Sequence, residues 1–177
     1  ELAGIMEMAG QLGVKGEADL KKFTATIAAL GVSTNLTRED AASMLAQFSN
    51  ITGMPITHID KLGSVIVALG NNFATTESDI VRMGQRLAGA GTQIGLTEAQ
   101  IMGFAAALSS VGIEAEAGGS AFSKVMIEMQ LAVETGGSGL KDFAKVAGMS
   151  SKEFQTAFKE DAAGAINAFI AGLGGVD

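Results

Sequence analysis

The sequence ALGNNFATTESDIVRMGQRLAGAGTQIGLTEAQIMGFAAALSSVGIEAEAGG, residues 68–119, decides the fold. Short polar segments begin each apolar run in it, and glycines follow the runs. The apolar residues recur at the spacing of one helix face, as in Ile80, Met83, Leu87, then Ile101, Phe104, Leu108. The stretch therefore predicts consecutive short α-helices, and neither it nor the rest of the chain contains a credible β-strand pattern.

Helix starts recur along the chain as Ser or Thr followed by acidic or amide residues. A Ser or Thr oxygen accepts the free amide hydrogens of a first turn, and an acidic residue there interacts favourably with the helix dipole. Thr76 with Asp79 and Thr97 with Gln100 approximate the spacing of a capping box. The predicted starts are Thr37, Thr76, Thr97 and Ser151.

Glycines mark the predicted helix ends, because the residue after a helix often adopts a left-handed conformation. These predicted ends are Gly31, Gly53, Gly70, Gly112, the pair Gly136-Gly137, and Gly148. Pro55 is expected to open the next helix, since its fixed φ suits a first turn. Inside helices, the pairs Gly84/Ala88 and Gly103/Ala107 predict close helix approach. Weak helices tolerated by tertiary packing are the alternative.

The pattern predicts an all-α fold, a compact bundle of roughly eight to ten short helices punctuated by glycine. Because the starts are unevenly spaced, we do not predict a solenoid, and helices that fold back on each other favour a bundle over a rod. The predicted domain organisation is a single helical domain, residues 1–177, with a subdivision near residues 136–139 as a further expectation.

Composition limits the chemistry of the chain. Its 177 residues can bury a real core, and with 5% aromatic residues this core relies on Ala, Ile, Leu and Met. There is no Cys, so disulfides, thiolate nucleophiles and cysteine metal sites are excluded. The net charge is −7 with scattered Lys and Arg, which argues against direct nucleic-acid binding.

The chain ends suggest a piece of a longer protein. The first residues, ELAGIMEMAGQLGV, carry two glutamates and no basic region, so they do not resemble a signal peptide. The last residues, GLGGVD, supply no closing element. Neither of two long uncharged stretches, residues 41–59 and 99–113, is a convincing transmembrane helix.

Several residues belong to types or patterns found in catalytic or binding sites, but we expect them to have structural roles. His58 is the only histidine, and one imidazole without a carboxylate cluster predicts neither a metal site nor a catalytic triad. The glycines from Gly89 to Gly95 lack dinucleotide-loop spacing, and residues 118–124 lack the glycine-lysine order of a phosphate loop. Ser120 lacks a nucleophile elbow and is expected to cap a helix.

Glu77-Ser78 is the one dipeptide that favours an enzyme, because lytic transglycosylases use a catalytic Glu followed by Ser. A general acid needs a pocket that raises its pKa, whereas Glu77 is predicted to lie in an exposed first turn. The later glycine-leucine-methionine-glutamine signature is also missing, since Gly95-Leu96-Thr97 does not supply it. We therefore expect no enzyme activity and name no catalytic, cofactor-binding or metal-binding residue.

Two further groups of residues receive structural predictions. The nine methionines are expected to fill an uneven core, and a promiscuous apolar groove is the alternative. They include Met6, Met8, Met126 and Met129. Four acidic residues are expected to form solvated faces: Glu114, Glu116, Glu128 and Glu134.

The ordered strings ALGNNFATTESDI (residues 68–80), RLAGAG (86–91) and GLTEAQIMGFAAALSSVGIEAEAGG (95–119) resemble the conserved core region of phage tail tape measure proteins. The resemblance extends through LKDFAKVAGMSSKEF at residues 140–154 and back to Met44 or earlier, so that it covers nearly the whole chain. It implies a minor tail component of a long-tailed phage or prophage, whose length sets the length of the tail tube.

The resemblance also implies partners and a location. Tail tube and tail chaperone subunits assemble around such a protein, which is made in the host cytoplasm and lies in the lumen of the virion tail. It further implies departure ahead of DNA at infection and, in some phages, help in opening a path through the envelope. The family offers no catalytic residue and no cofactor in this core.

Two alternatives and one further partner remain open. Amphipathic helices rich in Gly and Ala favour a membrane-active module that contacts the bilayer during DNA ejection. The acidic charge weakens its attraction to anionic lipid. A muralytic enzyme is the less favoured alternative. Self-association is also expected, because aromatic-poor helices with small-residue faces leave apolar surface to be covered.

Overall fold

A computed structural model describes residues 2–175, in which the chain forms ten α-helices and no β-strand. The helices are α1 (Leu2–Gln11), α2 (Glu17–Ser33), α3 (Arg38–Thr52), α4 (Ile59–Asn72), α5 (Glu77–Gln93), α6 (Glu98–Ser110), α7 (Ser120–Thr135), α8 (Ser138–Val146), α9 (Ser151–Glu160) and α10 (Ala162–Leu173). A 3-10 turn (Ile56–His58) precedes α4, and one π-helical turn (Ala115–Gly119) precedes α7. The predicted all-α bundle is confirmed.

Three predicted helix starts are confirmed and one lies a residue away. The side chains of Thr37, Thr76 and Thr97 each accept the backbone N–H three residues on, at 3.0, 3.2 and 3.2 Å. The cap of α9 is Ser150 where Ser151 was predicted. Ser150 Oγ accepts the Glu153 amide at 3.2 Å, and the Glu153 carboxylate accepts the Ser150 amide. Hydrogen bonds from Ser150 hold the pKa of Glu153 below its ordinary value.

Some of the glycines predicted to end helices do so, and others lie inside helices. Gly53, Gly112, Gly148 and the pair Gly136-Gly137 have positive φ and end or separate helices, as predicted. The predicted ends at Gly31 and Gly70 are wrong, because α2 and α4 continue past them. A Cβ at Gly31 would meet the Arg38 side chain, and one at Gly70 would meet Glu77. These glycines therefore let the start of the next helix pack closely.

Six helices form two layers. In the even layer α2 contacts α4 and α4 contacts α6, and in the odd layer α3 contacts α5 and α5 contacts α7. Successive helices alternate between the layers, so the chain makes three consecutive helix pairs. Helix α1 packs on the first pair. After the last pair, α8 and α9 contact α7, and α10 packs on α8 and α9.

The three pairs repeat at an interval of 39 residues. The dipeptide Ala-Leu occurs at positions 29–30, 68–69 and 107–108, near the ends of α2, α4 and α6. Thr37 and Thr76, which cap α3 and α5, are separated by the same interval. The repeat is hard to recognise in the sequence because the other two predicted helix starts, Thr97 and Ser151, fall at different intervals.

Close approach between the layers depends on glycine. A Cβ at Gly84 of α5 would lie 2.7 Å from the sulfur of Met102 in α6, and one at Gly91 would lie 2.7 Å from Ile101 Cγ1. The predicted close approach at Gly84 is therefore confirmed. The same prediction for Gly103 is wrong, since no atom lies within 4 Å of a Cβ built there.

Helices α8 to α10 have an aromatic core of their own. The ring of Phe143 lies 5.4 Å from that of Phe169 and 6.4 Å from that of Phe154. The unit joins α7 through Gly136 and Gly137, which have φ values of 75° and 87°. The single domain and its subdivision near residues 136–139 stay predictions.

Candidate functional site

Glu77 packs against a neighbouring helix. It begins α5, is half-buried, and lies over Gly70 of α4. The amide of the adjacent Ser78 donates to Asn35 Oδ1 at 3.1 Å, which ties the start of α5 to the turn after α2. The residue thus has a packing role in the geometry described, and the absence of enzyme activity stays a prediction.

His58 ends the 3-10 turn before α4 and is exposed, as predicted. It lines a small pocket of about 120 Å³ together with Lys61 and Glu98. Within residues 2–175, no group of three or more His, Cys, Asp or Glu side chains is placed to hold a metal ion.

The glycine-rich segments lie in close packing contacts and turns. Gly95 has a φ of 84° in the turn between α5 and α6. Gly119, in the π turn, is buried, and a Cβ there would lie 2.7 Å from Arg86 Cβ. The predicted cap at Ser120 is wrong: α7 continues directly from the π turn, and Ser120 is its first residue.

A polar pocket of about 480 Å³ lies between α5, the end of α6 and the π turn. Its charged lining residues are Asp79, Arg82, Arg86, Glu114 and Glu116. One ion pair crosses it, from Arg86 to Glu116 at 3.3 Å, with both side chains largely exposed. Such exposed pairs contribute little to stability.

A second pocket is an open groove of about 650 Å³ between α2 and α4. Its floor includes Gly63, where a Cβ would lie 3.1 Å from Thr26 Cγ2, so glycine allows the two helices to approach. An ion pair of 2.9 Å from Lys22 to Asp60 lies at one end. The hydrogen bond from Lys22 holds the pKa of Asp60 below its ordinary value.

The exposed surface of the even layer consists of small residues at equivalent positions of the repeat. We call this surface the small-residue face and define it by Ala25 and Ala29 of α2, Ser64 and Ala68 of α4, and Gly103 and Ala107 of α6. All are exposed except the half-buried Gly103. No charged residue occurs at positions 23–37, 62–76 or 99–113, so the charges of this layer are confined to the helix starts.

The three helices of the even layer also end in exposed apolar side chains. Val32 is 79% exposed, Phe73 40% and Val111 73%, at or just beyond the ends of α2, α4 and α6. These ends lie at one edge of the layers, because Asn35 Oδ1 accepts the Ser78 amide at the start of α5 and Thr75 Oγ1 donates to Ser109 Oγ at 2.9 Å. The small-residue face thus continues into an apolar edge.

The odd layer presents a different surface, in which polar side chains join neighbouring helices. Gln85 of α5 donates to Gln47 Oε1 of α3 at 3.0 Å, and Gln93 donates to Gln130 Oε1 of α7 at 2.9 Å. The four acidic residues predicted to be solvated are all exposed: Glu114, Glu116, Glu128 and Glu134. Met126 and Met129, in contrast, are buried in the core, as predicted. The same prediction is wrong for Met6, which is exposed, and Met8 is only partly buried.

Sequence reasoning identified small residues inside helices but missed the face that they form. The signal was available in the 39-residue spacing of Ala29, Ala68 and Ala107, together with the uncharged windows around them. No helix among residues 2–175 combines the length and the hydropathy needed to cross a bilayer.

Comparison with known proteins identifies the family. Residues 1–177, the full sequence, match the family described as phage-related minor tail protein. No curated protein and no solved structure matches the chain. The described residues display packing surfaces, repeated helix pairs and an uncharged face, which suit a structural component. The chain belongs to the family of phage-related minor tail proteins.

Proposed function

We propose that this chain is the core segment of a tape measure protein and acts in tail assembly and tail-length determination. Membership of the minor tail family supports the structural role, and the tape measure resemblance of residues 68–119 supports the finer one. The observation that carries the proposal is the succession of helix pairs along the chain, in which Ala-Leu recurs every 39 residues at positions 29, 68 and 107. A repeated unit adds length in fixed increments, as a ruler requires.

The proposed location is the lumen of the virion tail, with assembly in the host cytoplasm. The proposed partners are the tail tube and tail chaperone subunits, which would cover the surfaces that the chain leaves exposed. The proposed role is non-catalytic, and the packing of Glu77 over Gly70 supports this.

Within the ruler, the segment is proposed to stay compact. Helices of 13 to 17 residues, such as α6 and α5, are only about 20 to 25 Å long. Packed helices are spaced by about 8–10 Å, so three stacked pairs advance by about 30 Å along the stacking direction. A continuous helix of the same residues would be several times longer.

The proposal is tested by deleting residues 1–177 in frame from the phage gene and measuring tail lengths by electron microscopy. We expect shorter tails, by up to roughly 270 Å, the limit for 177 helical residues. A compact segment gives a smaller loss. The control is a point variant that keeps the chain length, Gly89→Ala, for which tails of normal length are expected because no atom lies within 4 Å of the added Cβ.

Tails of unchanged length after the deletion would contradict the role in length determination. If phages with these tails also failed to infect, the result would support a function in DNA delivery, which is the membrane-active alternative. Loss of all tails would support a role in assembly without measuring length, so a partial deletion of residues 59–97, one repeat, accompanies the full one.

A further inference from the structure

The third helix pair, α6 and α7, differs from the other two pairs at the turn that joins its helices. Residues 39 positions apart occupy equivalent places in the three pairs, as their burial shows. Near the starts of α3, α5 and α7 the buried equivalents are Ala41, Ile80 and Gly119, and two turns further on they are Phe48, Leu87 and Met126. The three joining turns can therefore be compared residue by residue.

In the first two pairs a threonine caps the start of the odd-layer helix. Thr37 and Thr76 each accept, on the side-chain oxygen, the amide of the aspartate three residues on. The equivalents of this threonine and this aspartate in the third pair are Ala115 and Gly118. No described side chain caps the π turn there or the start of α7. Because a lost cap and a glycine each weaken a helix start, the start of α7 is held less firmly than those of α3 and α5.

The first two pairs also close over a glycine that the third pair lacks. In the second pair the Glu77 side chain lies over Gly70, where an added Cβ would meet it, and the first pair makes the same contact. The equivalents of Gly70 and Glu77 in the third pair are Ser109 and Glu116. Serine has the Cβ that this contact excludes, and Glu116 is exposed and forms its ion pair with Arg86. The third turn therefore does not close as the other two do.

The backbone of the third turn reflects these differences. Helices α3 and α5 begin as α-helix directly after their caps, whereas the third pair has the π turn Ala115–Gly119, with the polar pocket of about 480 Å³ beside it. The π turn requires glycine, because a Cβ at Gly118 would overlap Ile113 Cγ2. Residues 111–117 are all exposed except the half-buried Ala115. Few buried contacts and an irregular turn are typical of a segment that opens locally.

We propose that residues 109–119 form a joint that opens locally while the rest of the stack stays folded. On opening, the π turn leaves α5, Gly119 loses its contact with Arg86, and the polar pocket merges with solvent. Helix α6 stays in place because it packs on α4 and α5, and α7 stays attached through buried residues such as Met126. The corresponding joints before α3 and α5 stay closed. The opening is a property of this chain alone and does not require the proposed tail function.

Amide hydrogen exchange of the whole chain, followed residue by residue by NMR, tests the proposal with two internal controls. The amides of residues 41–44, 80–83 and 119–122 occupy equivalent places in the three pairs. We expect residues 119–122 to exchange at least about tenfold faster than the other two groups, because the cap is lost and a glycine is added. Equal exchange rates in the three groups would overturn the proposal.

A repaired variant tests whether the three sequence differences cause the opening. Ser109→Gly, Ala115→Thr and Gly118→Asp together give the third joint the residues of the second pair. The aspartate also disfavours the π turn, since its Cβ would overlap Ile113. We expect the exchange of residues 119–122 to slow to the rate of the equivalent amides in α5. Circular dichroism should show at least the helicity of the wild type.

Two further variants separate local from global opening. Ala115→Thr alone restores the capping residue without a clash and should slow the exchange of residues 119–122 by a few fold, even if the triple variant fails to fold. Gly89→Ala, the control, stabilises α5 itself and meets no atom within 4 Å, so it should leave this exchange unchanged. A folded triple variant that exchanges at the wild-type rate would overturn the proposal. Slowing by Gly89→Ala as strong as by the repair would also overturn it, since the amides would then exchange through global unfolding.

Discussion

The helices of the two layers contact their neighbours in the same layer through different kinds of residues. In the even layer (α2, α4, α6) the helices approach through Gly63 and expose Ala, Ser and Gly. In the odd layer (α3, α5, α7) long polar side chains such as Gln85 and Gln93 form hydrogen bonds from helix to helix. Both layers cover one core, and the odd layer exposes the apolar side chains of Ile127 and Leu131 beside its polar ones.

The difference teaches that two layers over one core can be held together either by close helix approach at glycine or by polar side chains. Folding alone does not require Ala29, Ala68 and Ala107, because a Lys or Glu at these exposed positions would cost the core nothing. Polar bridges in the odd layer, in contrast, contribute to holding the helices of one molecule together. The even layer therefore exposes small uncharged residues, whereas the odd layer exposes polar side chains together with Ile127 and Leu131.

The largest effect is expected where the layers meet. In Gly91→Leu the new side chain would overlap Ile101, whose Cγ1 lies 2.7 Å from the position of the first added atom. Ile101 is buried and branched at Cβ, so it cannot turn away, and we expect a loss of about 3 kcal/mol of unfolding free energy. Urea unfolding measures it, with Gly89→Ala as the control. An equal stability of the two variants would contradict the close approach of α5 and α6.

A smaller loss is expected within the even layer. Gly63→Leu places its first atom 3.1 Å from Thr26 Cγ2 and pushes α4 away from α2. Because part of the side chain can reach the open groove, we expect about 2 kcal/mol. Gly103→Ala in the same layer meets no atom within 4 Å and should be stabilising by up to about 1 kcal/mol, the gain in helix propensity. Thermal unfolding of both variants checks the contrast.

We expect the side-chain hydrogen bonds of the odd layer to contribute less to the free energy of unfolding than the close helix contacts at glycine. Gln85→Ala removes two hydrogen bonds, to the Met44 carbonyl at 3.3 Å and to Gln47 at 3.0 Å. Both are partly solvated, so we expect a loss of about 1 kcal/mol in urea unfolding. Ala68→Ser in the even layer should change the stability by less than that. The reverse order would remove the distinction between the layers.

The smallest effect is expected from the ion pair at the start of the even layer. Since Lys22 lowers the pKa of Asp60 in the folded protein, the pair stabilises at pH values above the unfolded pKa of about 4. Its contribution is lost as the pH falls through the lower, folded value. The difference in melting temperature between wild type and Asp60→Asn should therefore be constant from pH 5 to 7 and shrink toward about pH 3. A difference that grows on acidification would contradict this.

Much of the fold was predictable because its signals are local. The caps at Thr37, Thr76 and Thr97 and the positive-φ glycines depend on residues within one turn. Gly31 and Gly70 were wrongly predicted to end helices, because glycine is needed there for a tertiary contact. Each lies under a side chain of the following helix, Arg38 or Glu77. A local pattern cannot distinguish a glycine that ends a helix from one that admits a neighbour.

The candidate surface was harder to predict than the fold. Small residues at positions such as Ala25 and Ser64 carry no chemistry of their own, and only the layered packing places them on one face. The predicted close approach at Gly103 failed for the same reason, since the residue lies on the exposed side of α6. The 39-residue interval connects these positions, and it becomes evident once the helix pairs are aligned.

The central claim, that this segment contributes to the tail as a compact stack of helix pairs, is tested most directly by duplicating residues 20–135 in frame. Tail lengths are then measured by electron microscopy. The account predicts growth of about 30 Å, from three further pairs spaced as packed helices. Growth of roughly 170 Å, the length of those residues as one continuous helix, would contradict it.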